Sequence, residues 1–257
     1  MPVLTTPKAH FDEDVRRARD VFAHANTLPA GLLRDDLVRS SWMMGVGAVD
    51  AYFCDAYADL IARTLQAKQI ENAITIPDRL LNLKVPVIAV IRPSATENWR
   101  WRMAARELIE DQTVLSLDRV RQLFNQFFRQ THKLFVDSSF DAWVLHRHSR
   151  QRLFGVTATA YRGLTGNALH NARRAALEHF EERFKMIFQR RHDCIHNCDR
   201  PRHAINSQYV TSPHYVPQVL DDLEFLVCRC QEAFVVEFPV YLTHLGFSAV
   251  TRNRVGC

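Results

Sequence analysis

From about Gly31 to Lys68 apolar side chains recur at helical spacing without a break. Leu33, Leu37, Trp42, Val46, Val49, Phe53, Tyr57 and Leu60 trace one such row. No strand or turn pattern fits so long a period, so the run predicts one long helix. Its apolar stripe needs partners of comparable length. Gly45 and Gly47 lie inside the run. Each lowers helix propensity by about 1 kcal/mol relative to Ala, which predicts close approach of a neighbouring helix at both.

Three further segments have the required length. Phe11 to Ala25 carries Val15, Ala18, Val21 and Phe22 on one stripe. Asn167 to Asn197 carries Ala172, Ala176, Phe180, Phe184, Ile187, Phe188 and Ile195. Val219 to Phe238 is the last. Two long helices early and two late bury their stripes most economically on each other, as an up-down four-helix bundle. The fold expected is all-α, a single domain over 1–257. Its bundle core covers about 11–70 and 165–240, with a helical insertion over about 74–160. Inside that insertion, Ser94-Ala95-Thr96-Glu97 has capping-box spacing and predicts a helix to Asp111. Leu117 to Gln130 predicts another. Ser138 with Asp141 predicts a capped helix through about Leu153. Gly155 to Gly166 reads as a connector, and Cys198 to Pro217 as a polar loop. Only 8 Gly and 10 Pro, with 47% apolar residues, suit long helices and a full core.

The net charge is +5, and of 33 basic residues 28 are Arg and 5 Lys. Arginine's planar fork matches paired phosphate oxygens, which favours a phosphate-bearing partner; a codon bias toward Arg explains the excess equally well. No apolar run approaches the roughly 20 residues that span a bilayer, and the N-terminus carries Asp12, Glu13 and Asp14 rather than an apolar leader. A cytoplasmic chain with no membrane partner is expected. The six cysteines, Cys54, Cys194, Cys198, Cys228, Cys230 and Cys257, show no disulfide framework. Cys194, Cys198, His196 and His203 lack the paired spacings usual for zinc, and Cys228 and Cys230 point apart on a helix. Free thiols and no metal are expected; a zinc-stabilised nucleic-acid binder is the minor alternative.

The chemistry concentrates in Arg190-Arg191-His192-Asp193-Cys194-Ile195-His196-Asn197, near the end of the third long helix. Arg191 falls on the apolar stripe one turn after Ile187, so it should face a cleft or a subunit interface rather than a dry core. His192 and His196 share a face. Arg191 and His196 lie about 140° apart and can flank one groove. Cutting RNA without a metal needs a base for the 2′-hydroxyl, an acid for the leaving 5′-oxygen and a cation for the phosphorane. Imidazole suits the first two tasks at neutral pH, guanidinium the third. The plainer alternative pairs Arg191 with Asp193 or a nearby Glu and leaves His196 to cap the helix.

This motif, Arg followed after four residues by His before a polar loop, resembles the signature of HEPN-domain proteins, in the form typical of the RiboL-PSP-HEPN subgroup. Leu33 to Arg39 and Asp50-Ala51-Tyr52 are similar to that subgroup's first long helix. The resemblance covers about 30–70 and 165–240 and leaves the middle third unmatched. It implies an all-α bundle that forms a homodimer with one composite active site. It also implies a metal-independent endoribonuclease, in toxin–antitoxin, phage-defence or RNA-processing systems, that needs no cofactor. Arg191 and His196 match the defining pair; His192 fills the polar position after Arg, and Asp193 and Asn197 are supporting groups. Some members carry a Tyr two residues after the His, where a partner antitoxin modifies it; Cys198 stands there, so that regulation is not implied. An antitoxin or defence partner protein remains an expectation of the family. Arg190, Arg200 and Arg202 flank the motif and would draw RNA to it. The alternative function is a non-catalytic helical dimerisation or RNA/nucleotide-binding module in a larger regulatory complex.

Two other patterns stand out. Trp99-Arg100-Trp101-Arg102 and Arg106 interleave rings and cations, which reads as core packing with a basic edge. His146-Arg147-His148-Ser149-Arg150 with Arg152 reads as a solvated basic face. Asp50, set among Val46, Val49 and Phe53, is expected to be structural, as a buried arginine's partner.

Overall fold

The computed structural model describes residues 2–82, 84, 99–107, 109, 114–197 and 215–257. Among these every regular element is helical and no strand occurs. α1 spans Thr5–Ala25 and α2 spans Leu32–Ile70. α3 (Asp78–Leu81) and α4 (Trp99–Glu107) follow. Then come α5 (Leu117–Phe124), 3-10 turns at Asn125–Phe127 and Gln130–His132, α6 (Asp137–Val144), α7 (Gln151–Phe154) and α8 (Ala158–Arg162). α9 (Gly166–Asn197), α10 (Tyr215–His244) and α11 (Ala249–Arg254) complete the chain.

α2 is the axis of the molecule, with α1, α4, α9 and α10 packed around it. Residues 56–65 are buried without interruption, so this stretch has no solvent face and its charges must find partners inside. Asp59 and Arg63 do so: Arg63 Nε donates to Asp59 at 2.7 Å, and Arg102 of α4 donates to the other carboxylate oxygen at 2.5 Å. Leu4 N–H, at the start of α1, also donates to Asp59, at 3.0 Å. Arg63 further reaches the carbonyls of Val255 and Pro2, tying both chain ends to α2.

Close approach of a neighbouring helix holds at Gly45 and not at Gly47. A methyl at Gly45 would run into Leu220 Cδ2 of α10 and lie 3.2 Å from Leu223 Cδ1, whereas one at Gly47 would meet nothing within 4 Å. Tyr52 donates to Gln231 Oε1 at 2.7 Å further along the same pair of helices. On another side, Trp42 Nε1 donates to the Ile187 carbonyl at 3.2 Å. The last third of α9 thus lies against the first third of α2.

The segment between α4 and α9 feeds the same core. Phe124 of α5 stacks on Phe234 of α10 at 4.4 Å. Phe180 of α9 is surrounded by Phe140, Trp143 and Phe154, with ring centroids at 5.3–5.9 Å.

Several boundaries differ from the sequence expectation. α1 starts before Phe11 because Pro7 sits in its first turn, where no N–H is needed. The helix expected to run from Leu117 to Gln130 tightens into 3-10 turns after Phe124. The N-cap position of α6 falls on Val136 rather than Ser138, and Asp141 is taken by Arg173 at 2.5 Å and by Tyr161. The expected connector after Gly155 contains α8, capped by Thr157. α10 runs through Pro239; the carbonyl Pro239 leaves unmatched belongs to Val235, which is exposed to water. The capping box at Ser94 to Glu97 lies outside the described residues. Among the described residues, no helix is long and apolar enough to cross a membrane.

Candidate functional site

The stripe that seats α9 is Phe180, Phe184, Ile187 and Phe188, all buried. Ile195 was expected to extend it but is 47% exposed, so the buried stripe ends at Phe188. Trp42 fixes α9 at Ile187, one turn before Arg191.

Arg191, His192 and His196 line one groove of about 820 Å³. Its opposite wall is the start of α5, from Leu115 to Asp118, where Ser116 caps the helix by accepting from Arg119 N–H at 3.1 Å. The His192 and His196 rings sit 4.4 Å apart, tilted by 43°. Arg191 and His196 are separated by about 7.5 Å along the axis and about 140° around it, yet they face the same space. Arg191 and His192 are half-buried and His196 is exposed. The Arg191 guanidinium makes no hydrogen bond or ion pair among the described residues. Asp193, one candidate for its partner, accepts instead from Gln189 at 2.9 Å. Arg190 is half-buried and does not line the groove. Asn197 is the last residue of α9. Arg200 and Arg202, like Cys198 and His203, lie outside the described residues.

Sequence reasoning missed the acidic side of this groove. Asp118, Glu178, Glu181 and Glu182 line it together with Lys185 and Gln189. Each carboxylate is committed to a cation: Asp118 and Glu181 to Arg121 at 2.7 and 2.6 Å, Glu182 to Lys185 at 3.5 Å, Glu178 to Arg174 at 3.4 Å. The signal was present as a polar row, 178, 181, 185, 189, 192 and 196, at three- and four-residue steps.

The remaining candidates are structural. Asp50 accepts from the Val114 amide at 2.9 Å; its partner is a backbone group, not an arginine. Arg100 lies over the Trp101 ring at 4.7 Å, Arg102 pairs with Asp59, and Arg106 pairs with Asp55. Burial pushes the Cys54 and Cys257 thiols up to about 11, and those of Cys228 and Cys230 upward as well. These four stay protonated at neutral pH and are poor nucleophiles. Among the described residues no three His, Cys, Asp or Glu side chains converge as a metal site.

Comparison with models of known protein families, with curated proteins and with solved structures gave no match to this chain.

Proposed function

We propose that this chain is a cytoplasmic, metal-independent endoribonuclease of HEPN-like architecture. In this reading α1, α2, α9 and α10 are the four-helix bundle, and the segment from α3 to α8 is the insertion. The observation that carries it is the groove in which two adjacent imidazoles meet a guanidinium that has no partner among the described residues. His196 takes the proton of the substrate 2′-hydroxyl. The 2′-oxygen attacks phosphorus, the bond to the 5′-oxygen breaks, and an imidazole returns a proton to that oxygen. The products are a 2′,3′-cyclic phosphate and a free 5′-hydroxyl. Arg191 holds the non-bridging oxygens and stabilises the charge that builds on them. His192, Asp193 and Asn197 support the pair; Arg190, Arg200 and Arg202 attract the strand.

A second copy of the chain supplies the partner imidazole. In support, apolar side chains stand exposed on the two helices that Trp42 joins: Leu32 and Leu33 at the start of α2, and Ile195 on α9. RNA is the substrate partner, and an antitoxin or defence protein is the regulatory one.

The test is cleavage of total RNA by purified protein in excess chelator, with the new ends mapped. Arg191→Ala and His196→Ala should each slow cleavage by about 10²–10⁴-fold, and mixing the two should restore part of the activity. Wild-type rates in both variants would end the proposal.

The acidic residues in the same groove favour a second reading, a non-catalytic helical module. Tight RNA or partner binding without cleavage would select it.

A further inference from the structure

The basic run His146-Arg147-His148-Ser149-Arg150 takes no part in the groove on α9. It links α6 to α7 and, with Phe225 and Arg229 of α10, walls a second cavity of about 540 Å³. The two cavities share no lining residue, so binding in the second can be measured apart from RNA cleavage in the first.

Four carboxylates also face this cavity, and each is met by cations. Asp221 and Glu224 are held by Arg19 at 2.8 and 2.6 Å. Asp222, fully buried, is held by Arg152 at 2.8 Å and Arg183 at 2.9 Å. Glu232 is held by Arg229 at 2.5 Å. Arg147 and Arg150 are left over. Among the described residues they donate to His148 Nε2 at 3.0 Å and to the Ser149 carbonyl at 3.1 Å, and both are exposed. With every acid compensated, these two cations set a positive field at the mouth.

The imidazoles supply flat surfaces. His146 lies 5.4 Å from the His148 ring and 6.0 Å edge-on from Phe225. Burial and then the nearby Arg229 push the His146 imidazole below its usual range, so it is neutral at pH 7 and both donates and accepts hydrogen bonds.

We propose that this cavity binds a nucleotide phosphomonoester, with Arg147 and Arg150 on the phosphate and the His146 and His148 rings against the base. The guanidinium fork matches two phosphate oxygens, and bases stack on planar side chains. The volume lies within the range of roughly 300–1,000 Å³ typical of small-molecule sites and exceeds the needs of a bare phosphate ion. The same chemistry occurs in a free nucleoside 5′-monophosphate and at the 5′ end of an RNA strand.

Calorimetric titration of the full chain separates the sources. The probes are the four ribonucleoside 5′-monophosphates, the unphosphorylated nucleosides, inorganic phosphate, and a short RNA with and without a 5′-phosphate. Saturable binding of a monophosphate is expected, weakened about tenfold or more in Arg147→Ala/Arg150→Ala. Binding of the 5′-phosphorylated strand alone would support the site and assign it to RNA ends. The double variant should melt as the wild type does, since neither arginine pairs with a carboxylate. No binding by any phosphorylated probe, equal binding of the unphosphorylated nucleoside, or undiminished binding in the double variant would overturn the proposal.

Discussion

Asp59 is a buried carboxylate on which the fold depends. Its side chain is 3% exposed and takes three donors: Leu4 N–H, Arg63 Nε and Arg102 Nη2. Removing it takes the Asp59 carboxylate away from Arg63, a buried cation only 8% exposed. Breaking one side of a buried pair costs about 3–5 kcal/mol. The Leu4 amide loses its acceptor too, at about 1–3 kcal/mol for an orphaned buried donor. Leu4 sits at φ 58°, an unfavourable left-handed conformation for a leucine, and the bond to Asp59 helps hold it there. These losses overlap, because the freed N-terminus admits water to Arg63. Arg102 is 37% exposed, so water replaces its share and its deletion should cost under about 1 kcal/mol. Urea unfolding should therefore show Asp59→Ala destabilised by about 3–5 kcal/mol, a large part of the roughly 5–15 kcal/mol that holds such a domain. Limited proteolysis should cut the variant first near α1. If Asp59→Ala cost less than about 1 kcal/mol, or if Arg102→Ala matched it, Asp59 would not be a buried junction.

Two further outcomes rest on named neighbours. Gly45→Ala gains about 1 kcal/mol of helix propensity but crowds Leu220 and Leu223, at about 1–3 kcal/mol, so its urea midpoint should fall or stay level; Gly47→Ala faces open space and its midpoint should rise. Burial pushes the Asp141 carboxyl up, but the hydrogen bonds from Arg173 and Tyr161 outweigh it and hold the group below the usual carboxylate range. Its stabilisation is therefore present above the unfolded value of about 3.9 and lost as pH falls through the lower folded value. The stability gap between wild type and Asp141→Asn, read by urea unfolding across pH, should be widest near neutrality and close in acid; a gap that widens in acid would reverse the sign.

α2 and α9 were legible because their apolar rows are long enough that no other element accommodates them. The short helices from α6 to α8 were not, because their ends are set by contacts far away in sequence. Phe140, Trp143 and Phe154 converge on Phe180, and Asp141 is claimed by Arg173. Pro239 reads as a stop in sequence, yet α10 continues, since the bond it loses lies on an exposed face. Asp59 and Arg63 look like an ordinary surface pair at i and i+4; only the helices on every side of α2 bury them. The basic run at 146–150 looks like a solvated face for the complementary reason: the acids that make it a cavity wall sit on α10, some seventy residues away.

That Arg191 has no acid at helical spacing is, by contrast, written in the sequence. On a helix an arginine finds its acid three or four residues away. Those positions around Arg191 are Ile187, Phe188, Cys194 and Ile195, none able to take its charge. The acids that share its groove have helical partners of their own, Arg174 for Glu178 and Lys185 for Glu182. A carboxylate placed at 195 should therefore occupy the guanidinium. Ile195 is 47% exposed, so Ile195→Glu should leave folding nearly unchanged, the new pair contributing only about 0.3–0.5 kcal/mol. It should nonetheless depress RNA cleavage, and more so at low salt, where the added charge is least screened. Ile195→Gln removes the same apolar surface without adding charge and so controls for any loss of dimer. If the Glu and Gln variants cut RNA at the same rate at every ionic strength, an uncommitted Arg191 is not what the groove works with.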